Sequence, residues 1–440
     1  MKKLLIANRG EIAIRIGQTA KELGYSTIAV FPEDDASALH VQQSDESVQI
    51  PGAGAQAYLN IEEIINAAKT CAADAVHPGY GFLSENPDFA KACDDAGINF
   101  VGPTAAQLSI FGNKAGARAL AAELGIPLVP GTNEDTSLAA VIDFQDQHPD
   151  KGVVIKAISG GGGRGMRIVE DRNEIEKSFE RCKSEANLAF GDDRVYVELL
   201  IHRARHIEVQ IVGDGTGSVT HLWERDCSTQ RQNQKIVEVA PSPNMPESTR
   251  TALLQASVKM ASHASYRGVG TFEFLVNADQ PDEFFFIEAN ARLQVEHTVT
   301  EAITGLDLVA LQLQIAAGET LDELGLSEPP ATNGYAIQCR INMETPGKKG
   351  MFKPTGGTIN IFEPPSGPGI RVDTFGYAGY KTSTRYDSLL AKLIVHSKSD
   401  DFSVCAEKAV RALRQFRLEG FKVNLPFLQT LVGSQDFQNA

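Results

Sequence analysis

The stretch from residue 270 to residue 298 constrains the fold most, because two consecutive segments in it have the alternating side-chain pattern of strands. Side chains of a strand point to opposite faces in turn, so GTFEFLV is predicted to place Glu273 on one face and phenylalanines on the other. A polar turn follows. The return segment, FFFIEAN, is predicted to place Phe286, Glu288 and Asn290 on one face. The pattern predicts a hairpin with one polar and one aromatic face.

In this hairpin Glu273 is expected to lie opposite Glu288. Like charges directly opposite each other destabilise a strand pair, and a cation between them removes that penalty. Hard carboxylate and amide oxygens suit Mg2+ or Mn2+, so we predict a metal site formed by Glu273, Glu288 and Asn290. The alternative is an edge hairpin whose glutamates face water.

Length and composition exclude several classes of protein. The 440 residues are enough for about three domains, and 42% hydrophobic content allows a large core. The net charge of −15 argues against nucleic acid or an anionic membrane as the main partner. No apolar run approaches the ~20 residues of a membrane-spanning helix. The six cysteines show no CxxC spacing, which is typical of free thiols in a reducing compartment, and we expect a cytoplasmic protein.

The first part of the chain alternates predicted strands and helices, which indicates a parallel sheet with ligands at the carboxyl ends of its strands. The segments NRGE and HPGYGFLSEN follow two of these strands. NRGE lacks the GxGxxG pattern, so a dinucleotide-binding fold is not supported. HPGYGFLSEN is alternatively only a tight turn. Asn60, Asn86 and Asn113 are predicted to cap helices.

Two lysines and a glycine-rich segment indicate phosphate binding. Lys114 is predicted in the first turn of a helix, where a cation opposes the helix dipole unless an anion is held there. Lys156 shares a strand face with apolar residues and needs a partner. The glycines from 160 to 163 follow, and their backbone N–H groups can approach phosphate oxygens. The alternative for Lys114 is an exposed lysine without a ligand, and the alternative for the glycine-rich segment is a flexible hairpin.

Polar side chains also line the strand HIEVQIV, where His206, Glu208 and Gln210 share a face and predict one wall of a site. The segment from 224 to 241, ERDCSTQRQNQKIVEVAP, is rich in Arg, Gln and Lys. From composition alone it is equally a solvated loop.

Taken in order, the segments NRGEIA, HPGYGFLSEN, SGGGGRGM, RHIEVQ, ERDCS, RLQVEHTVTE and CRIN resemble the biotin carboxylases of the ATP-grasp superfamily. The resemblance implies a mixed α/β and α+β fold of three domains. They are an N-terminal parallel-sheet domain over residues 1–112, an ATP-grasp domain over 113–332 with a mobile lid at about 130–203, and a strand-rich C-terminal domain over 333–440.

The resemblance also implies the roles of individual residues. ATP contacts are expected from Lys114, Lys156, Gly161, Gly162, Gly163, Glu198, His206, Leu275 and Ile287. Bicarbonate contacts are expected from Lys235, Arg292, Gln294, Val295 and Glu296. Biotin contacts are expected from Tyr80, Gly81, Gln230 and Arg340. The catalytic residues would be Glu296, Arg340, Arg292 and Lys235, with Glu296 as the general base. Leu199 and Asn233 depart from the family pattern, which usually has lysine and often histidine there.

The expected reaction is ATP-dependent carboxylation of biotin N1 by bicarbonate through carboxyphosphate. Biotin is expected on a separate carrier domain, because the sequence has no Met-Lys-Met motif. A carboxyltransferase and a second copy in a homodimer are further expected partners, and excision from a longer polypeptide is slightly favoured over a free-standing subunit. Two alternatives are a carboxylate–amine ligase of the ATP-grasp type and a non-catalytic nucleotide-binding regulator. The first would not need RLQVEH and CRIN, and the second would be expected to lose Glu288 or Glu296.

Overall fold

The computed structural model describes residues 2–132, 135–158, 165–347 and 351–439. The strands in these ranges are β1 Lys3–Ile6, β2 Ser26–Phe31, β3 Glu46–Gln49, β4 Ala75–His77, β5 Asn99–Phe100, β6 Val153–Ala157, β7 Met166–Val169, β8 Val195–Leu199, β9 Ala204–Asp214, β10 Val219–Arg231, β11 Gln234–Ala240, β12 Arg267–Asn277, β13 Phe284–Asn290, β14 Tyr335–Asn342, β15 Glu344–Pro346, β16 Phe352–Pro354, β17 Ile361–Glu363, β18 Ile370–Thr374, β19 Leu389–Ser397 and β20 Arg417–Glu419.

The α-helices are α1 Gly10–Glu22, α2 Leu39–Gln43, α3 Ile61–Thr70, α4 Pro87–Asp95, α5 Ala105–Phe111, α6 Lys114–Glu123, α7 Leu138–Asp146, α8 Ile175–Phe190, α9 Glu247–His263, α10 His297–Thr304, α11 Leu308–Ala316, α12 Phe402–Gln415, α13 Leu425–Val432 and α14 Gln435–Gln438. Short 3-10 helices cover Glu33–Asp35, Gly54–Leu59 and Arg172–Glu174.

The N-terminal strands form the predicted parallel sheet, in the order β3-β2-β1-β4-β5. The sequence analysis missed β3, a short and mostly exposed edge strand whose sequence ESVQ has little apolar signal. Asn60, Asn86 and Asn113 cap their helices as predicted, each accepting a hydrogen bond from a backbone N–H in the first turn.

The site is carried by an eight-stranded antiparallel sheet in the order β13-β12-β9-β10-β11-β14-β19-β18. The pairing of β11 with β14, in which Val237 lies opposite Cys339, joins the middle of the chain to its C-terminal part. A continuous apolar core also joins α1 of the parallel sheet to α11, through buried residues such as Ile12, Ile16 and Leu308. The two large sheets are therefore packed against shared helices.

A small three-stranded sheet, β7-β6-β8, lies in the region predicted as the lid and is covered by α7 and α8. Its side chains form an apolar cluster of their own, which includes Val141, Ile155 and Phe179. This separate core gives the region the internal cohesion that a movable unit needs. The glycines predicted to bind phosphate, Gly161–Gly163, lie outside the described residues.

The strand-rich character of the C-terminal part is confirmed. Its helix α12 ends at Gln415, and Arg417–Glu419 then pairs with β17 as strand β20. Phe416 breaks the helix because it takes an extended conformation that buries its ring, which packs 5.5 Å from that of Phe362.

Among the described residues, no single helix combines the length and apolar composition needed to cross a membrane. The consecutive helices α10 and α11 meet that test only when they are taken together, and they are bent by 96°.

Candidate active site

The hairpin of β12 and β13 has the predicted register at its centre, where Glu273 lies opposite Glu288 and Thr271 opposite Asn290. Beyond Glu273 the register shifts, so that Phe274 lies opposite Phe286 and Ile287 is an extra residue. The prediction that Phe286 shares the face of Glu288 was therefore wrong.

The bulge turns Phe286 into the apolar core, where its ring packs against those of Phe272 and Phe274. These rings are the aromatic wall behind the two glutamates. Glu273 is buried by this wall, whereas Glu288 keeps 28% of its side chain exposed and receives an ion pair of 2.9 Å from Lys114. The hairpin thus offers one buried and one accessible carboxylate.

Glu273 is hydrogen-bonded on both carboxylate oxygens. His206 Nε2 lies 2.5 Å from one oxygen, and the other accepts from Lys235 (3.0 Å), Asn290 (2.8 Å) and Gln294 (3.1 Å). Burial by itself would raise the pKa of Glu273, but Lys235 and His206 hold this pKa well below its usual value. Glu273 is therefore an anion fixed in place by neighbours from three strands and the loop after β13.

Lys235 of β11 stands at the centre of the site. Its ammonium group donates to Glu208 (2.5 Å), Glu273 (3.0 Å) and Glu296 (2.8 Å), so it uses three donors on three carboxylates. Burial alone would lower the pKa of Lys235, and the three carboxylates instead raise it well above its usual value. This excess of negative charge keeps the lysine a cation.

Glu296 lies immediately before α10, where the helix dipole favours a carboxylate. Its second oxygen accepts a hydrogen bond of 2.9 Å from Arg340, which also donates to buried Glu238 over 2.5 Å. Burial alone would raise the pKa of Glu296, but Lys235 and Arg340 lower it below its usual value. The predicted base is thus held as a carboxylate between two cations.

Arg292 follows the hairpin and faces the same space. It donates to Glu85 over 2.8 Å and to the Asn290 side-chain oxygen over 3.0 Å. Glu85 belongs to the HPGYGFLSEN segment, which is therefore part of the site wall and not only a turn. Val295 presents its backbone next to Gln294, and its carbonyl accepts a hydrogen bond of 3.2 Å from Lys392.

On the expected nucleotide side, Lys156 has the partner that its apolar strand face required. It forms an ion pair with Glu198, which also accepts from Arg118 over 2.5 Å. Leu275 and Ile287 are half-buried at the outer end of the hairpin, and Leu275 pairs with His206 across β9.

The two departures from the family pattern have structural explanations. Leu199 is buried at the end of β8. Gln232 and Asn233 form the two-residue turn between β10 and β11, with positive φ angles of 50° and 63°. Asn suits such a left-handed position, so the turn that delivers Lys235 favours asparagine there.

The residues expected at biotin belong to two parts of the fold. Gln230 donates to His206 Nδ1 (3.1 Å) and to the Cys227 carbonyl (2.9 Å). Tyr80 donates to Glu11, and Tyr80 and Gly81 line a cavity of about 290 Å3 together with Arg9 and Tyr386. Burial raises the pKa of Tyr80, and the positive charge of Arg340 acts in the opposite direction.

Sequence analysis missed Arg225, whose side chain is fully buried. It donates to Glu208 (2.5 Å), Gln210 (2.7 Å), Thr271 (3.0 Å) and Thr300 (3.0 Å) and thereby fixes the floor under Lys235. The position of Arg225 in the ERDCS motif could have indicated it. The strand register pairs Arg225 with Glu208, on the polar face of HIEVQIV.

The oxygen donors of the hairpin fit a hard divalent cation. Glu273, Glu288 and Asn290 supply carboxylate and amide oxygens, the ligands that Mg2+ prefers. Within the described part of the chain, two other groups have ligand atoms within 4.8 Å of one another, namely His206 with Glu208 and Glu273, and Glu208 with Cys227 and Glu296. In both groups the carboxylates already share the ammonium of Lys235, which supplies the positive charge there.

Three family models match consecutive parts of the chain. Residues 1–108 match the biotin carboxylase N-terminal domain, residues 113–324 the ATP-binding domain of the carbamoyl-phosphate synthase L chain, and residues 338–440 the biotin carboxylase C-terminal domain. The mitochondrial pyruvate carboxylase of Rattus norvegicus is 47% identical over 443 residues, which cover 99% of this chain and 37% of that protein. The chain thus spans a little over a third of the length of such relatives.

Solved structures agree over the whole chain. The biotin carboxylase domain of a single-chain bacterial carboxylase is 45% identical with a TM-score of 0.89, covering 100% of this chain and 95% of that one. The biotin carboxylase domain dimer of the Hydrogenobacter thermophilus 2-oxoglutarate carboxylase, in complex with MgADP, ADP and bicarbonate, is 40% identical with a TM-score of 0.93, covering 100% and 95%.

The fold defines a protein of the ATP-grasp type. The chain belongs to the biotin carboxylases. This membership favours the predicted carboxylation chemistry over a carboxylate–amine ligase or a regulator.

Proposed function

We propose that the chain activates bicarbonate with ATP to carboxyphosphate and transfers the carboxyl group to N1 of biotin carried on another domain. The observation that carries this proposal is the joint placement of Lys235, Glu296 and Arg340. A carboxylate base stands between two cations, one toward the metal-binding hairpin and one toward the expected biotin side. Such a set can bind an anion, take its proton and stabilise a second anion.

The phosphate side is assigned to Lys114, Lys156 and the glycines Gly161–Gly163, with Glu198 holding Lys156 in position. Glu273, Glu288 and Asn290 are assigned to Mg2+, which would neutralise phosphate charge during transfer. Lys114 pairs with Glu288 at 2.9 Å, so it lies where a nucleotide phosphate and the metal ligands would meet. His206, Leu275 and Ile287 complete the proposed ATP contacts.

Bicarbonate is assigned to Lys235, Arg292, Gln294 and the Val295 backbone, with Glu296 as the general base. The guanidinium fork of Arg292 suits the planar oxygens of this anion. In the structure Lys235 and Arg340 lower the pKa of Glu296. When they turn part of their hydrogen bonding to the bound anion, the basicity of Glu296 rises.

Biotin is assigned to Arg340, Gln230, Tyr80 and Gly81. Arg340 is proposed to stabilise the negative oxygen of the ureido ring when N1 loses its proton. Carboxyphosphate supplies CO2 to N1, and the released phosphate accepts the N1 proton. Atoms balance because the phosphoryl group of ATP leaves as phosphate and the bicarbonate carbon ends on biotin.

We further propose the domain limits 1–112, 113–332 and 333–440 with a lid at about 130–203, supported by the separate core of the three-stranded sheet. The proposed partners are a biotin carrier domain, a carboxyltransferase and a second copy of the chain. They are supported by the multidomain relatives and by the dimer of the Hydrogenobacter thermophilus domain. A cytoplasmic location is supported by six free cysteines.

The test is ADP release from ATP with Mg2+ and bicarbonate, measured with and without free biotin. Carboxylation predicts release that depends on bicarbonate and is stimulated by biotin. Release indifferent to both compounds would contradict the proposal. An Arg340→Gln variant serves as the control, which should lose the stimulation by biotin while part of the bicarbonate-dependent release remains.

A further inference from the structure

Lys392 of β19 is a fully buried cation that contacts groups from three separate parts of the fold. Its ammonium lies 3.0 Å from Glu11 of α1 and 3.2 Å from the Val295 carbonyl after β13. Asp373 of β18 lies 3.7 Å away and is itself bound by Arg371. A buried charge is costly unless it is paired and hydrogen-bonded, so this arrangement is tightly constrained.

Glu11 connects Lys392 to the expected biotin side. It lies in the NRGE segment, which the proposed chemistry does not otherwise use, and it accepts the hydroxyl hydrogen bond of Tyr80. In the same segment Asn8 donates to the carbonyls of Pro78 (2.7 Å) and Tyr80 (2.8 Å). The backbone packs closely there, because a Cβ added to Gly79, at a φ of 64°, would lie 2.8 Å from Asn8.

Val295 connects Lys392 to the expected bicarbonate side. Its carbonyl is held by Lys392, while its neighbours Gln294 and Glu296 bind Glu273 and the cations Lys235 and Arg340. The orientation of this peptide therefore depends on a side chain that itself lies outside the catalytic cluster.

We propose that Lys392 is a positioning residue that holds Tyr80, through Glu11, and the Val295 peptide in register, so that biotin and bicarbonate meet in the correct geometry. The inference rests on the proposed function for the roles of Tyr80 and Val295. Hydrogen bonds to charged groups are worth more than neutral ones, so loss of this tie should be measurable in substrate binding.

The first test is Lys392→Met, which keeps the length of the side chain and removes its charge. KM for bicarbonate and KM for biotin are each expected to rise roughly tenfold, the equivalent of one lost charged hydrogen bond. KM for ATP is expected to stay unchanged, because the contacts of Lys392 with Glu11, Asp373 and Val295 include none of the proposed ATP contacts that lie in the described residues. A merely structural role would not raise KM for bicarbonate and biotin while leaving KM for ATP unchanged.

The second test is the double variant Glu11→Gln with Lys392→Met. Because it leaves no unpaired charge at this pair, it can be measured even if the single variant fails to fold. The amide oxygen of the introduced glutamine can still accept from Tyr80, so KM for biotin should return close to the wild-type value. KM for bicarbonate should stay high, because the Val295 carbonyl still lacks its donor.

The matched control is Arg250→Met. It removes the cation that lies 2.9 Å from buried Glu224, and neither residue of this pair is assigned to a substrate. It should lower the melting temperature without changing any KM. If Lys392→Met behaves like this control, or if the double variant restores both KM values, the positioning role is wrong. A wild-type protein without bicarbonate-dependent, biotin-stimulated ADP release would instead overturn the proposed function itself.

Discussion

Arg340 donates to the Glu296 carboxylate over 2.9 Å, on the oxygen that Lys235 does not use. The two cations thus hold opposite edges of one carboxylate. Lys235 faces the hairpin that carries Glu273, and Arg340 faces Glu238 and the expected biotin side. We propose that the two cations, although they share a partner, serve different substrates.

Arg340→Gln should therefore separate the two halves of the reaction. Glutamine can still donate to buried Glu238 but cannot supply a charge to biotin, so biotin carboxylation should be lost while part of the bicarbonate-dependent ADP release remains. Glu296→Gln should lower both rates about one-hundredfold or more, as expected for loss of a general base. Both rates are measured on each variant, and the division of roles is refuted if the two variants have the same profile.

Glu288→Gln should weaken the dependence of turnover on Mg2+ without harming the fold. The side chain is part-exposed, so the substitution removes a charge without leaving a cavity. We expect the Mg2+ concentration for half-maximal ADP release to rise and the melting temperature to stay constant. Glu283→Gln, at the exposed turn of the same hairpin, is the control and should change neither. Normal Mg2+ dependence in Glu288→Gln would remove Glu288 from the metal site.

Acid should destabilise the protein through buried and half-buried histidines. Burial lowers the pKa of His40 to about 4, of His77 to about 3 and of His221 to about 4. Between the ordinary value of 6.5 and these values, the unfolded chain binds protons that the folded chain does not. The free energy of unfolding should therefore fall as the pH drops through this window, by about 1.4 kcal/mol per pH unit for each histidine.

Denaturant titrations from pH 7 to pH 4 measure this slope. His40→Gln should make the free energy of unfolding less dependent on pH. Glutamine can keep a donor toward the Val30 carbonyl without titrating. Gln147→Asn, at an exposed position that does not titrate, is the control and should leave the slope unchanged. An unaltered slope in His40→Gln would show that His40 is not responsible.

Local patterns in the sequence were enough to predict the hairpin, the helix caps and the polar faces. The pairing of Glu273 with Glu288 follows from the two-residue period of strands and the position of the turn. The bulge at Ile287 does not follow, because one extra residue is invisible to a period count. The bulge is instead a consequence of core packing, because it places Phe286 against Phe272 and Phe274.

The long-range ion pairs also could not be predicted from local patterns. Glu238 and Arg340 are brought together only by the pairing of β11 with β14, and Glu11 meets Lys392 only after α1 packs on the large sheet. Arg225 is a further example, since a fully buried arginine has no hydrophobic signature. Such residues are located by tertiary packing, and the motifs around them indicate only the class of site.

The lid should respond to nucleotide as a unit. Its strands β6, β7 and β8 share a core with α7 and α8 that is separate from the main core. We expect hydrogen exchange of amides in 153–158 and 165–169 to slow when a non-hydrolysable ATP analogue and Mg2+ are added, with β1 as the internal reference. Identical exchange with and without the analogue would contradict lid closure.

Biotin attached to a carrier domain should be a far better substrate than free biotin. The sequence has no Met-Lys-Met motif, which is why we propose a separate carrier domain, and a docked carrier would raise the effective concentration of the ring near Arg340. We expect a much lower KM for the biotinylated carrier, with kcat for ADP release changed less. The unbiotinylated carrier is the control and should inhibit carboxylation of the biotinylated carrier competitively, because both dock on the same surface. Equal kcat/KM for free and carried biotin would show that the site gains nothing from a carrier, and the proposed partner would then be wrong.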